Sequence, residues 1–277
     1  MYFVSTDSIG FLGTPNQFLK LWQEYFDDGT LNGVEIIAFK PISRLNNLIS
    51  ILKNKNISNL SFHGKTGGEN QLDFFGRITM TLVNVFIYDI ETLLKNFPEI
   101  EFLSHTPYLK RNFAKESVLK FKPKKIWIEN HFYGKTGVEN AIKQILIYRK
   151  EGINTCGMLD IFHYIAHSSE NLEKNWPKII EELRSFFLLK DNQGKQFFCG
   201  IHFPIGTRLG DSLPVDDMSD WMLKLFAKKI IPLAERIVFE NQQKNLGLFF
   251  STDKMIEEQK TRNKRIIERF KRTGIIK

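Results

Sequence analysis

The sequence predicts an α/β fold, a single (β/α)8 TIM barrel that takes in residues 1–277 as one domain. Three observations predict it. Short β-branched or aromatic runs alternate with longer segments whose apolar residues recur three and four apart, which is the order of parallel βα units. Eight such units can be counted along the chain, and a barrel of this length is common. Acids and histidines gather at the ends of the short runs, and in a barrel those ends converge on one mouth.

The strand candidates are Tyr2 to Ser5, Val34 to Phe39, Asn59 to Phe62, Glu101 to Ser104, Lys125 to Ile128, Ile153 to Leu159, Gln196 to Ile201, and Ala234 to Phe239. Between them lie helix-period sets such as Leu45, Leu48, Ile49 and Leu52, or Val138, Ala141, Ile142 and Ile145, which predict the outer ring. Thr14-Pro15 supplies a capping hydroxyl followed by proline at the first helical position, and Gly29 closes the same segment. The third unit is the longest. Its stretch from Gly67 to Asn96 includes a loop around Gln71-Leu72-Asp73, long enough to cover a site and equally an ordinary surface loop. No stretch reads as an interdomain linker.

Composition sets limits on function. With 42% hydrophobic and 25% charged residues the chain is of ordinary globular type. No apolar run approaches the ~20 residues of a membrane span, and Met1-Tyr2-Phe3-Val4 lacks the order of a secretion signal. A cytoplasmic protein without membrane contact is expected. The formal net charge of +8 favours a polyanionic partner such as nucleic acid or a phosphorylated substrate. Much of that excess falls in Lys254 to Lys277, which reads as an amphipathic helix with a basic solvated face. The two cysteines, Cys156 and Cys199, make neither a disulfide framework nor a zinc knuckle and read as buried free thiols.

One internal echo stands out. Gly64-Lys65-Thr66-Gly67-Gly68-Glu69-Asn70 after the third strand recurs as Gly134-Lys135-Thr136-Gly137-Val138-Glu139-Asn140 after the fifth. Such turns can offer backbone N–H groups and a lysine to a phosphate, and they are also routine turn chemistry. Neither copy is a P-loop, because the glycine that motif requires is Asn59 in one and Glu129 in the other.

The strand ends carry the chemistry. His63 closes the third strand, His105 the fourth and Glu129 the fifth, followed by Asn130 and His131. Asp160 closes the sixth with His163 three residues on, His202 follows the seventh, and Glu240 ends the eighth. Carboxylates buried together after apolar strands repel one another unless a cation neutralises them. Glu129, Asp160, His202 and Glu240 are therefore the expected ligands of a divalent metal. Oxygen donors with one imidazole suit Mn, Mg, Co or Zn. No role is assigned to His131 or His167.

These strand-end residues resemble the xylose isomerase-like barrel superfamily, which groups sugar isomerases and epimerases with apurinic-site nucleases of the endonuclease IV type. Glu129-Asn130 is similar to its fifth-strand Glu-Asn, and Asp160-Ile161-Phe162-His163 to its sixth-strand Asp-x-x-His; His202 and Glu240 complete its metal quartet. The ketose 3-epimerase branch implies that Glu129 and Glu240 both hold the metal and exchange a proton on opposite faces of the substrate carbon. The metal would polarise the substrate oxygens and stabilise an enediolate. His163 matches the branch's substrate-binding histidine, and Arg208, six residues after His202, its substrate-binding arginine. Where the epimerases carry a second glutamate this chain has Lys135, which speaks against the same sugar and suits a phosphate or carboxylate on the substrate.

The endonuclease resemblance uses a different subset. His63 and His105 match its third- and fourth-strand histidines and would share Glu129 in a first zinc site, with the quartet as a second. A third would need a histidine near Asp216 and Asp217, and Leu213-Pro214-Val215-Asp216-Asp217-Met218 has none. The leading expectation is thus an isomerase, epimerase or related lyase acting on a small polyhydroxylated substrate, phosphorylated or not, with His63, His105, His163, Lys135 and Arg208 contacting it. The alternative is an apurinic-site DNA phosphodiesterase with a zinc cluster. A non-enzymatic barrel with a decayed site is a third reading. Metal stoichiometry separates the first two, and Glu240→Gln, silent only in an inert site, tests the third.

Overall fold

The computed structural model describes residues 1–6, 14–37, 42–64, 95–105, 119–130, 134–165, 172–206, 218–242 and 253–277. Eight strands close into one parallel barrel in chain order. They are β1 (Tyr2–Ser5), β2 (Gly33–Ile37), β3 (Asn59–Gly64), β4 (Glu101–His105), β5 (Ile126–Glu129), β6 (Thr155–Asp160), β7 (Phe198–Gly206) and β8 (Arg236–Gln242). Each begins within two residues of its predicted start. Closure is made by β1 against β8, with Phe3 opposite Val238 and Val4 opposite Phe239.

The described helices are α1 (Pro15–Asp27), α2 (Ile42–Asn54), α3 (Gly134–Lys150), the short α4 (Ile161–Ile165), α5 (Leu172–Leu188), α6 (Asp220–Lys229) and α7 (Asp253–Thr273). At α1 the Thr14 hydroxyl accepts from the Gln17 amide while the Thr14 amide donates to Gln17 Oε1, a reciprocal capping box with Pro15 beside it. Gly29, at φ +75°, ends that segment in the left-handed region that glycine enters without strain. None of the described helices is long and apolar enough to cross a membrane.

Alternate residues of each strand face outward and inward, so two cores form. The outer one joins strands to helices and includes Leu45, Leu48, Ile49, Leu52, Val138, Ala141 and Ile145, as their spacing predicts. The inner one is smaller: Phe3, Leu103, Trp127, Cys156, Met158, Cys199 and Val238 fill the middle of the barrel. Below it, Arg236 donates to Glu101 Oε2 at 2.8 Å and stacks over Phe3, and Trp127 Nε1 donates to the same oxygen at 2.8 Å. That ion pair and its aromatic cover plug the N-terminal end. The apolar layer therefore separates a charged plug from the polar layer at the other end.

The cysteines overturn the expectation of free thiols: Cys156 and Cys199 form a disulfide between neighbouring strands β6 and β7. Strict alternation puts Cys199, two residues before the outward Ile201, on the outer face. The register shifts, however: Gly157 pairs with Phe198 but Met158 pairs with Gly200. Cys199 is the extra residue of a β-bulge, turned inward while Phe198 faces out. Gly157 is required there, since a Cβ would lie 2.4 Å from the Phe198 ring and 2.9 Å from the Phe197 carbonyl oxygen.

Candidate metal centre at the strand ends

The polar layer begins with two strand endings, whereas β7 and β8 run on past His202 and Glu240, which the sequence placed after and at the end of their strands. Glu129 is the last residue of β5 and Asp160 of β6, and both are buried. Asn130 ties the two ends together: its amide nitrogen donates to the Asp160 carbonyl at 3.0 Å and its side-chain oxygen accepts from the Asp160 amide at 2.7 Å. One Asp160 oxygen then caps α4, accepting from the His163 amide at 2.9 Å. The other lies 3.4 Å from His163 Nε2. Asp160 is thus fixed from both sides before any ligand arrives.

His202 lies at the same level on β7, in register with Asp160. Glu129, Asp160 and His202 each offer an atom within 4.8 Å of the others'. Glu35, on β2, was not among the residues the sequence singled out. It lies at the heart of the cluster, wholly buried, with His63 Nδ1 at 2.9 Å from Oε1 and His202 Nε2 at 3.2 Å from Oε2. His63 Nε2 is in turn 3.3 Å from Glu129 Oε2, and His202 Nδ1 is 3.3 Å from that same oxygen. Two carboxylates and two imidazoles therefore alternate around a ring inside the barrel.

Charge follows from this arrangement. Burial pushes the Glu35 carboxyl up, but the charges of His202 and His63, with their hydrogen bonds, outweigh it and hold the group below the usual carboxylate range. Burial lowers both imidazoles, and Glu35 with Glu129 more than reverses that, leaving His63 raised and His202 raised well above the ordinary value. Burial raises the Asp160 carboxyl, opposed by His163 and reinforced by Glu129. An ionised Glu35 can only accept, so His63 Nδ1 and His202 Nε2 carry the protons of those bonds.

The donor set fits a hard divalent cation. Three buried groups from β5, β6 and β7 converge, two of them carboxylates, as Mn, Mg, Co or Zn sites require. His202 Nδ1 is buried and makes no hydrogen bond, although Glu129 Oε2 is near. A ligating histidine ordinarily donates its other nitrogen to a carboxylate, and Glu35 is in place to accept from Nε2. A second group, Glu35, His63 and His202, also has its atoms within 4.8 Å, but there the bonds to Glu35 already use them.

The remaining site expectations distribute as follows. Glu240 is buried on β8, opposite Pro204 in register, and belongs to neither group of three. His63 joins the ring and is buried. His163 is the most exposed of the cluster, at 15%, with Nε2 3.8 Å from Glu129 Oε1. Lys135 extends from the first turn of α3 into solvent, 3.9 Å from Glu182. His105 ends β4 in register with Glu129, and its side chain lies outside the described residues. Arg208, His131, His167, Asp216, Asp217, the third-unit loop and the copy of the glycine turn from Lys65 to Asn70 lie outside them too.

No family model matches the sequence, and no curated protein matches it. Solved structures do. A D-tagatose 3-epimerase-like protein superposes with a TM-score of 0.50 at 14% identity, over 99% of this chain and 97% of that one. D-psicose 3-epimerase from Clostridium cellulolyticum H10 gives 0.48 at 10% identity, over 96% and 98%. A xylose isomerase domain-containing protein from Salmonella typhimurium LT2 gives 0.47 at 12% identity, over 96% and 97%. At such identities the likeness is one of fold.

Proposed function

We propose that this chain, whose fold is that of the xylose isomerase-like barrels, is a metal-dependent isomerase or epimerase of a small polyhydroxylated substrate, sugar or sugar phosphate. The observation that carries the reading is the buried convergence of Glu129 and Asp160, the last residues of β5 and β6, with His202 from within the adjacent β7. Glu129, Asp160, His202 and Glu240 would hold the cation. When bound there, a divalent ion supplies Lewis acidity that makes the C–H beside a carbonyl easier to ionise.

The rest is done by side chains. Glu129 and Glu240 would act as the base that removes the proton and the acid that returns it, each within a desolvated wall that strengthens its effect. Asp160 is held by Asn130 and by the α4 amide, so it contributes charge at a fixed position. His163, nearly one helical turn beyond and partly open, would donate to a substrate hydroxyl.

The test is wash-in of deuterium from D2O into a panel of ketoses and their phosphates, read by NMR with Mn2+ present. Exchange beside the carbonyl, lost in Glu240→Gln with bound metal retained, supports the reading. Failure to exchange with any member, together with absence of bound metal, contradicts it.

One observation favours the phosphodiesterase alternative, namely that His63 Nε2 lies 3.3 Å from Glu129, as a shared zinc site would need. His63 Nδ1 is, however, engaged by Glu35, which suits a fixed structural imidazole equally. Cleavage of abasic DNA with two or three zinc ions bound would select that alternative.

A further inference from the structure

At the end of the barrel opposite the candidate metal centre, a cavity of about 510 Å³ opens between the starts of β5, β6, β7 and β8. Both cysteines of the disulfide line it, although each is largely buried, Cys199 at 8% exposure and Cys156 at 4%. Three cations share the lining, Lys125, Arg149 and Lys195, against one carboxylate, Glu235. Arg149 is paired with Asp191 at 2.7 Å and Lys125 with Glu235 at 3.3 Å, whereas Lys195 is exposed. The disulfide thus belongs to the inner core and also borders a concave space whose lining carries more positive than negative charge.

A disulfide is an electrophile, and its natural attacker is a thiolate, which positive walls attract and concentrate. The same walls favour the thiolate that leaves. We infer that Cys156–Cys199 is a thiol-exchange site on the N-terminal face, taking a small thiol that carries a carboxylate. In the first step the incoming thiolate forms a bond to the sulfur of Cys199, the less deeply buried residue of the pair, and the Cys156–Cys199 bond breaks, leaving Cys156 as thiolate. A second thiol attacks the mixed disulfide, releasing the small-molecule disulfide and the Cys199 thiolate. Two thiols are oxidised and one protein disulfide is reduced. Because the bulge at Cys199 already departs from ladder pairing, opening the bridge breaks no hydrogen bond of the β6–β7 register above it.

The discriminating experiment holds thiolate concentration equal and varies only charge. Folded, air-oxidised protein is incubated with 3-mercaptopropionate or with cysteamine, quenched by alkylation, and mapped by peptide mass spectrometry. The carboxylate thiol is expected to open the bridge about tenfold faster, with the transient adduct on Cys199, and Lys195→Glu is expected to erase most of that preference. Equal rates for the two thiols, reaction only after denaturant, or two alkylated cysteines in untreated protein would each overturn the assignment. The comparison of thiols on unaltered protein stands whether or not the variant folds, and it is independent of any metal.

Discussion

Glu35 and His202, 167 residues apart in sequence, meet inside the barrel with His202 Nε2 3.0 Å from Glu35 Oε1. That contact fixes which imidazole nitrogen can turn toward Glu129 and Asp160. Replacing the carboxylate by an amide of the same shape removes its charge and allows the ring to be held in the wrong tautomer. Glu35→Gln is expected to weaken divalent-metal affinity by about 10–100-fold. Competition against a chelating dye reads this directly, and an unchanged affinity would show that Glu35 does not orient His202.

The alternating ring predicts a pH signature in chelator-treated protein. Glu35 has a depressed pKa in the fold, so its contribution is present above its unfolded value and is lost as pH falls through the folded one. His63 and His202 are raised, so theirs is complete below the unfolded value, ~6.5, and is lost as pH rises through the folded values. Asp160 is also raised, so its contribution is complete below its ordinary value and is lost as pH rises through the folded one. Tm in EDTA should peak between about pH 4.5 and 6.5 and decline above it. A Tm that climbs steadily from pH 6.5 to 9 would contradict the ring.

Gly157 tests the bulge. Gly157→Ala sets a methyl against the Phe198 ring and the Phe197 carbonyl oxygen, one of which is backbone and cannot step aside. A cost of about 1–3 kcal/mol is expected, measured by urea unfolding. Full stability would mean that the β6–β7 strands pair without the irregularity.

The disulfide itself closes a loop with a sequence separation of 43 residues between β6 and β7. Replacing both cysteines by serine is expected to cost about 2–4 kcal/mol in unfolding free energy. The same denaturation series on oxidised protein and on the double variant measures it.

Much of this was legible in the sequence, for definite reasons. Apolar runs such as Ile126-Trp127-Ile128 followed at once by Glu129 mark both a strand and where it ends, because charge is more costly within a buried parallel strand than at its rim. Asp160 was readable in the same way; His202 was read as following its strand, whereas β7 continues past it to Gly206. Glu35 was not, because it sits inside a strand, between Val34 and Ile36, rather than after one. A lone carboxylate within a buried apolar run is nevertheless a signal, since burying it is costly without partners. Cys199 was hidden for another reason: inward and outward faces follow from alternation, and a bulge breaks alternation without changing composition. Asn130 was noted as part of a motif, but that its side chain bridges two strand ends required the coordinates.

The central claim is that side chains from separate strands form one divalent-metal site around Glu129, Asp160 and His202. Elemental analysis of protein purified without a metal-binding tag tests it most directly, with Asp160→Asn as the matched control. About one divalent ion per chain, lost in that variant while the fold persists, is the result expected. A metal-free protein that also fails to bind added Mn2+, Mg2+, Co2+ or Zn2+ would contradict it.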